Sequence, residues 1–309
     1  LSSSGSKEMP MRVTLSIACL CKGYDVKKPP CDVNFICLTA LGDSDQPMSD
    51  VERLLKALQE AVKGTMAKGE VGILFSGGLD SGLLAAVAGQ HGTPYLYTVG
   101  IDGSHDLRAG RETAKELKLP WTGMVLTSDE VISATRDLLG VCPIRDPVVL
   151  SFQLPLYIIA ARSREDVLMS GQGADELFGG YNRYLNMAPA VLERSMNDDL
   201  GKLLAEVQPL DQRIAAHFSK SIDHPFLDPE VRRAASKIEA TDKVRDGVRK
   251  IPLRETAVRL GYPFLANREK KAAQYGSGFM KVLKSHSRRA GMNLSEYVSG
   301  LALEPSIDE

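Results

Sequence analysis

The sequence predicts an α/β protein, with a parallel sheet covered by helices on both faces and followed by a helical C-terminal part. Short apolar runs rich in β-formers alternate with amphipathic helical stretches between about residues 71 and 170. Repeated crossovers of that kind give a parallel sheet with both faces covered. Two glycine-rich loops, SGGLDS at Ser76–Ser81 and SGQGADELFGGY at Ser170–Tyr181, stand where strands hand over to helices. That is the edge of such a sheet at which ligands bind.

Taken in order, Leu1–Pro10 (LSSSGSKEMP) is polar and lacks an initiator Met, and it reads as a tag remnant or disordered leader before Met9 or Met11. Residues 11–48 form a short β-rich region, in which VTLSIACL and VNFICLTA are two strands joined by the polar YDVKKPPCD. Residues 49–195 hold the core. Val71–Phe75 is a buried strand, and Leu79, Leu83, Leu84 and Val87 recur at helical spacing after it. Pro94–Val99 and Thr122–Leu126 are further strands, Leu107–Leu117 and Asp129–Leu139 are helices, and Val148–Ala161 is a long apolar helix interrupted by Pro155. Asp166–Ser170 is a last strand running into the second loop. Residues 196–309 form a helical part that completes the site.

A chain of 309 residues, 43% hydrophobic and 25% charged, can bury a full core as one large or two modest domains. No apolar stretch reaches the roughly 18–20 residues that span a bilayer, and no signal peptide opens the sequence, so a cytoplasmic protein without membrane contact is expected. Net charge is −1, yet Glu230–Arg289 carry 16 Lys/Arg against 6 Asp/Glu. Such a basic third is a solvated helical surface or a footprint for nucleic acid or polyphosphate. Five cysteines, an odd count, argue against a disulfide framework. Cys19, Cys21, Cys31 and Cys37 match no metal-ligand spacing and read as buried strand cysteines, with a zinc or iron–sulfur site as the alternative.

The first loop suits an anion. Gly77 and Gly78 let the backbone bend and approach a ligand, and the helix that follows aims free N–H groups and its dipole at the turn. The bland alternative is an ordinary βα turn in which Asp80 or Ser81 caps the helix. No Gly-Lys-Ser/Thr follows the glycines, so this is not a Walker A loop. Without that lysine a polyphosphate needs a divalent cation, for which Asp80 is a candidate ligand.

SGGLDS resembles the pyrophosphate loop of the ATP pyrophosphatases, which cleave ATP between its α and β phosphates. With SGQGADELFGGY, VGIDGSHDLRAGRETAKELKLP and AHFSKSIDHPFLD it resembles, over about residues 50–290, the synthetase domain of the glutamine-dependent asparagine synthetases and β-lactam synthetases. The resemblance implies an adenine nucleotide alpha hydrolase-like fold for the core. It also implies ATP and Mg2+ as cofactors, with Ser76, Gly77, Gly78, Asp80 and Ser81 around the pyrophosphate. Leu74, Val99, Ser170 and Gly171 would lie against adenine and ribose, and Asp80 and Asp175 would bind magnesium. A lysine that steadies developing negative charge falls, by spacing to Gly276 and Gly278 in REKKAAQYGSG, on Lys270, with Lys271 next in line. Two lysines on a solvated helix is the plain alternative.

The implied activity is that of an AMP-forming amide ligase of amino-acid biosynthesis, which adenylates a small-molecule carboxylate and passes it to ammonia or an amine. Magnesium and loop N–H groups would offset the meeting of carboxylate and phosphate anions. Three departures bear on the substrate. The asparagine synthetases have Glu where this sequence has Gln172, which can orient a substrate but cannot accept a proton at neutral pH. Phe218–Asp223 (FSKSID) replaces a Ser-x-Glu-x-Arg pattern. No glutaminase domain fits into the residues before the core, so nitrogen is expected from free ammonia, a separate glutaminase or amine-donor partner, or the substrate's own amine. An RNA-modifying ATP pyrophosphatase and a nucleotide-binding regulatory protein are the alternatives.

Overall fold

The computed structural model describes residues 48–268 and 276–302, all within the unit Pro47–Glu309. The strands expected in residues 11–48, with Cys19, Cys21, Cys31 and Cys37, lie outside the described residues, as do Lys270 and Lys271.

Helix α1 (Asp50–Met66) opens with a capping box. The Ser49 hydroxyl accepts the Glu52 N–H, and the Glu52 carboxylate accepts the Ser49 N–H, so two donors that no helical carbonyl reaches are satisfied. Its buried residues Leu54, Leu58, Val62 and Thr65 recur every three or four positions and make one apolar stripe. There follow β1 (Val71–Leu74), α2 (Leu79–Ala88), β2 (Tyr95–Ile101), α3 (His105–Leu117), β3 (Trp121–Leu126), α4 (Ser128–Val141), α5 (Pro147–Arg162) and β4 (Val167–Met169). The α/β alternation read from the sequence is present.

Pro155 does not interrupt α5, contrary to expectation. The helix runs through it, with Leu150, Leu154, Leu156, Ile158 and Ile159 all buried around it. A helix held on nearly all sides by tertiary packing tolerates the loss of one backbone hydrogen bond.

The five strands are all parallel and lie in the order β3-β2-β1-β4-β5, β5 being Ser221–Asp223. The chain beyond residue 196, expected to be helical, therefore also supplies an edge strand, and a small antiparallel ribbon of β6 (Val244–Arg245) and β7 (Val248–Arg249). Around them stand α6 (Ala174–Phe178), α7 (Pro189–Lys202), α8 (Gln208–His217), α9 (Pro229–Ser236), α10 (Ala240–Lys243), α11 (Ile251–Arg259) and α12 (Pro263–Ala266). Helices Phe279–Arg289 and Leu294–Leu301 follow.

Strand alternation splits the core in two. In β4, Val167 and Met169 join the cluster built with Leu54, Leu58, Leu83, Val231 and Leu253 of α1, α2, α9 and α11. Leu168 between them joins the opposite cluster, with Val131, Leu154, Ile214 and Leu283. Successive strand side chains point to opposite faces, so helices must cover both. The strand order reverses between β1 and β4, and both glycine loops leave the sheet at that switch point, on its carboxyl side.

One buried charge opposes the fold. Lys243 is 8% exposed, and burial pulls its pKa down to about 8 against the partial support of Glu193 and Glu239. A lysine whose folded pKa lies below its unfolded value costs stability below the folded pKa, and that cost fades as pH rises towards the unfolded value. Lys243→Met is therefore expected to raise the unfolding free energy by about 1–3 kcal/mol at pH 7. The gain should shrink between pH 8 and pH 10, as urea melts at the three pH values would show. A destabilised variant at pH 7 would contradict this.

Candidate active site

The first loop begins where Phe75 N–H donates to the Tyr97 carbonyl at 2.8 Å, just beyond β1. Gly77 takes φ +73° and runs flush against the Ala109–Gly110 backbone of α3, where any side chain would overlap. The Thr113 hydroxyl donates to the Gly77 carbonyl at 2.8 Å and fixes the turn. Helix α2 begins after Gly78 without a side-chain cap, so Asp80 and Ser81 stand in its first turn and do not close its end. The Ser81 hydroxyl accepts the Ser76 N–H at 3.3 Å, and the two hydroxyls lie 3.3 Å apart.

The second loop leaves β4 at Ser170, whose N–H donates to the Asp223 carbonyl of β5 at 3.0 Å. Gly171 packs against Asp80, bringing the two loops together. Gln172 is half-buried, and its N–H donates to the Ser170 hydroxyl at 3.3 Å. Asp175 and Glu176 open the short helix α6.

The loops converge on Lys250. Its ammonium stands 2.5 Å from Asp80 Oδ2 and 2.7 Å from Asp175 Oδ1, with the lysine side chain 4% exposed. Lys250 is held at φ +56°, immediately before α11. Gly180 passes so close to the Asp175 carboxylate and the Lys250 stem that a side chain there would collide with both. Two arginines flank the lysine. Arg249 donates to the Gly180 carbonyl at 2.6 Å, and Arg254 donates to the Arg249 carbonyl at 2.8 Å. Burial, then repulsion from Arg249, lowers the Arg254 pKa while Asp80 supports its charge. Burial, then the Asp175 charge, raises the Glu176 pKa, and the Tyr181 hydroxyl donates to its carboxylate.

The expected nucleotide-site residues lie along one edge. Leu74 ends β1, Val99 lies near the end of β2, and Ser170 and Gly171 follow β4. Lys270 lies outside the described residues, but the chain on either side of it is anchored. Arg268 pairs with Glu112 of α3 at 3.1 Å, and beyond the gap Ser277 accepts the Ile101 N–H at 2.9 Å while Gly276 lies against the Asp106 carboxylate. Sequence reasoning missed Lys250. Its only signal was the run VRKIPLR, Val248–Arg254, inside the basic third. The departing stretch Phe218–Asp223 ends in β5, and the Asp223 carboxylate accepts from Thr65 at 2.8 Å and pairs with Lys68 at 2.5 Å.

The donor set suits magnesium. Two carboxylates already share one cationic nitrogen, and both donors are hard oxygens. Magnesium is commonly held by one or two carboxylates plus substrate phosphates, with no all-protein cage.

The asparagine synthase family model matches residues 53–219, just over half of the 309 residues. The chain belongs to the asparagine synthase family. Among its relatives, a Methanocaldococcus jannaschii protein assigned as a glutamine-hydrolysing asparagine synthetase is 29% identical over 78% of this chain and 52% of its own length. Asparagine synthetase B of Escherichia coli is 29% identical over 64% of this chain and 39% of its own, and the Asparagus officinalis enzyme is 29% identical over 62% and 35%. This asparagine synthase family chain thus spans about half, or less, of the length of the curated relatives it matches. A solved structure described as a predicted subunit of tRNA methyltransferase from M. jannaschii overlaps 68% of this chain and 96% of that one, at 19% identity and a TM-score of 0.32, too distant to carry an argument. No described helix is long and apolar enough to cross a membrane. The family match ends at residue 219, so Lys250 and the stretch around Lys270 lie beyond it.

Proposed function

We propose that this asparagine synthase family chain is an ATP-dependent, AMP-forming ligase that adenylates a small-molecule carboxylate and transfers the acyl group to ammonia or an amine. The observation that carries it is the convergence of Asp80 and Asp175, one from each loop, on a single cation position at the switch point of the sheet. Magnesium, when bound, would supply charge neutralisation for the phosphates. Asp80 and Asp175 would hold it, and Lys250 would then be released from sharing its charge between two carboxylates and could meet phosphate oxygens. The N–H groups at the start of α2, with Ser76, Gly77, Gly78 and Ser81, would receive the departing pyrophosphate. Leu74, Val99, Ser170 and Gly171 would border the nucleoside.

Gln172 sits in the loop that carries Asp175 and would orient the nucleophile without removing its proton. Lys270 would bring a compact positive charge to the acyl-transfer step. The nitrogen source is proposed to be ammonia, an amine on the substrate, or a separate glutaminase partner.

Turnover with a panel of amino acids should yield AMP and pyrophosphate, separable by chromatography of the spent nucleotide. ADP as the sole product would overturn the proposal. Lys270→Ala should lower turnover at least tenfold, a barrier change of about 1.4 kcal/mol or more, with ATP affinity unchanged. Gln172→Glu should raise ammonia-dependent turnover by restoring a base. Silence of both variants in steady-state kinetics would remove the acyl-transfer half of the proposal.

A further inference from the structure

Three buried polar side chains lie in a row behind the second loop. Ser170 Oγ is 2.8 Å from His224 Nδ1, and His224 Nε2 faces Asp211 Oδ2 at 3.2 Å, with the histidine and aspartate side chains 1% and 3% exposed. Three different elements supply them. Ser170 follows β4, His224 follows β5 and Asp211 lies in α8. The same face is tied by backbone as well, since the Ser170 N–H donates to Asp223 and Gln212 of α8 donates to the Ile222 carbonyl at 2.9 Å.

The donors and acceptors along this row are determined by its ends. Nε2 and Asp211 Oδ2 face each other at 3.2 Å without hydrogen-bond alignment, so the carboxylate acts on the ring through its charge, which favours a proton on Nε2 and leaves Nδ1 as an acceptor. The Ser170 hydroxyl must then give its proton to Nδ1, so the oxygen lone pairs face away from the histidine. One of them takes the Gln172 N–H at 3.3 Å. A Ser-His-Asp trio also invites a nucleophile. Here, however, Ser170 is only 6% exposed and its hydroxyl is engaged on both sides, by the histidine and by Gln172.

We propose that His224, oriented by Asp211, is a positioning residue that sets the hydroxyl direction of Ser170 and through it the backbone of Gln172. The proposal rests on the ligase assignment for the purpose of that loop, since Gln172 is there the residue facing the nucleophile. The specificity loop is thus supported from behind by α8 and the edge strand. This matters for a loop that must hold an uncharged side chain in one pose, because an orienting amide acts only if its backbone is fixed.

The test is hydrogen exchange of the Gln172 amide in the full chain, with the amides of Val167–Met169 as the fold control. Ser170→Ala and His224→Ala should each speed Gln172 exchange at least tenfold while the β4 amides stay protected. His224→Asn places an acceptor where Nδ1 was and should restore most of the protection. Asp211→Asn should give an intermediate rate. Unchanged Gln172 exchange in both alanine variants with β4 protected would overturn the proposal, as would labelling of Ser170 by a fluorophosphonate, which would make it a nucleophile. If an alanine variant loses β4 protection, Asp211→Asn decides, and a Gln172 rate equal to the parent's in that variant would overturn it. The readout needs no turnover, so absence of AMP formation in the parent would refute the ligase assignment alone.

Discussion

Lys250→Met is expected to destabilise the chain by about 2–4 kcal/mol in metal-free buffer, and millimolar magnesium without nucleotide is expected to return part of that loss. The parent should barely respond to the metal. The lysine ammonium lies within 2.7 Å of oxygens on both Asp80 and Asp175. Its removal leaves two carboxylates, 17% and 20% exposed, without the ammonium that they share. Like charges at that range repel, with water damping the effect because neither is fully enclosed. A divalent cation is the natural replacement, and it stabilises by mass action because it binds only the folded arrangement. Thermal melts with and without magnesium measure both terms. Turnover should fall about a hundredfold or more, by roughly 2.7 kcal/mol of barrier, since charge near the phosphates is lost. A variant as stable as the parent and indifferent to magnesium would show that the three side chains do not share one charge site.

Asp80→Ala and Asp175→Ala should each weaken magnesium-dependent ATP binding by about a hundredfold, or roughly 2.7 kcal/mol. On the proposed assignment each removes one of the two carboxylates offered to the cation, and a hard cation does not accept the methyl group in its place. The variants also free Lys250 from one partner. A weak metal-independent affinity for ATP should therefore survive in both, and titration calorimetry in EDTA separates it from the metal-dependent part. Equal affinity in parent and variants with magnesium present would sink the assignment of these two carboxylates.

The loops and the first four strands were legible because their signals are local. Val71–Leu74 is a continuous apolar run, and the two glycines after Ser76 sit in consecutive positions. The short strand Ser221–Asp223 was not legible, because three residues of which only Ile222 is fully buried give no alternation to detect. Pro155 misled because propensity weighs one missing hydrogen bond and cannot see the burial that offsets it. Lys250 was hidden by distance along the chain. It stands 170 residues from Asp80, and nothing in VRKIPLR says which of its cations turns inward. The same holds for Asp211 and His224, which meet Ser170 only once β5 has paired with β4.

That pairing sets an order of events during synthesis. About 50 residues separate β4 from its outer neighbour, so at the usual ribosomal pace of about 5–20 residues per second the β4 edge stays unpaired for some 3–10 s after it emerges. During that interval Val167–Met169, an uninterrupted apolar strand, presents open backbone groups to any other nascent chain. A fragment ending at residue 219, where the family match stops, would keep that edge open permanently. Such a fragment is expected to associate through it and precipitate.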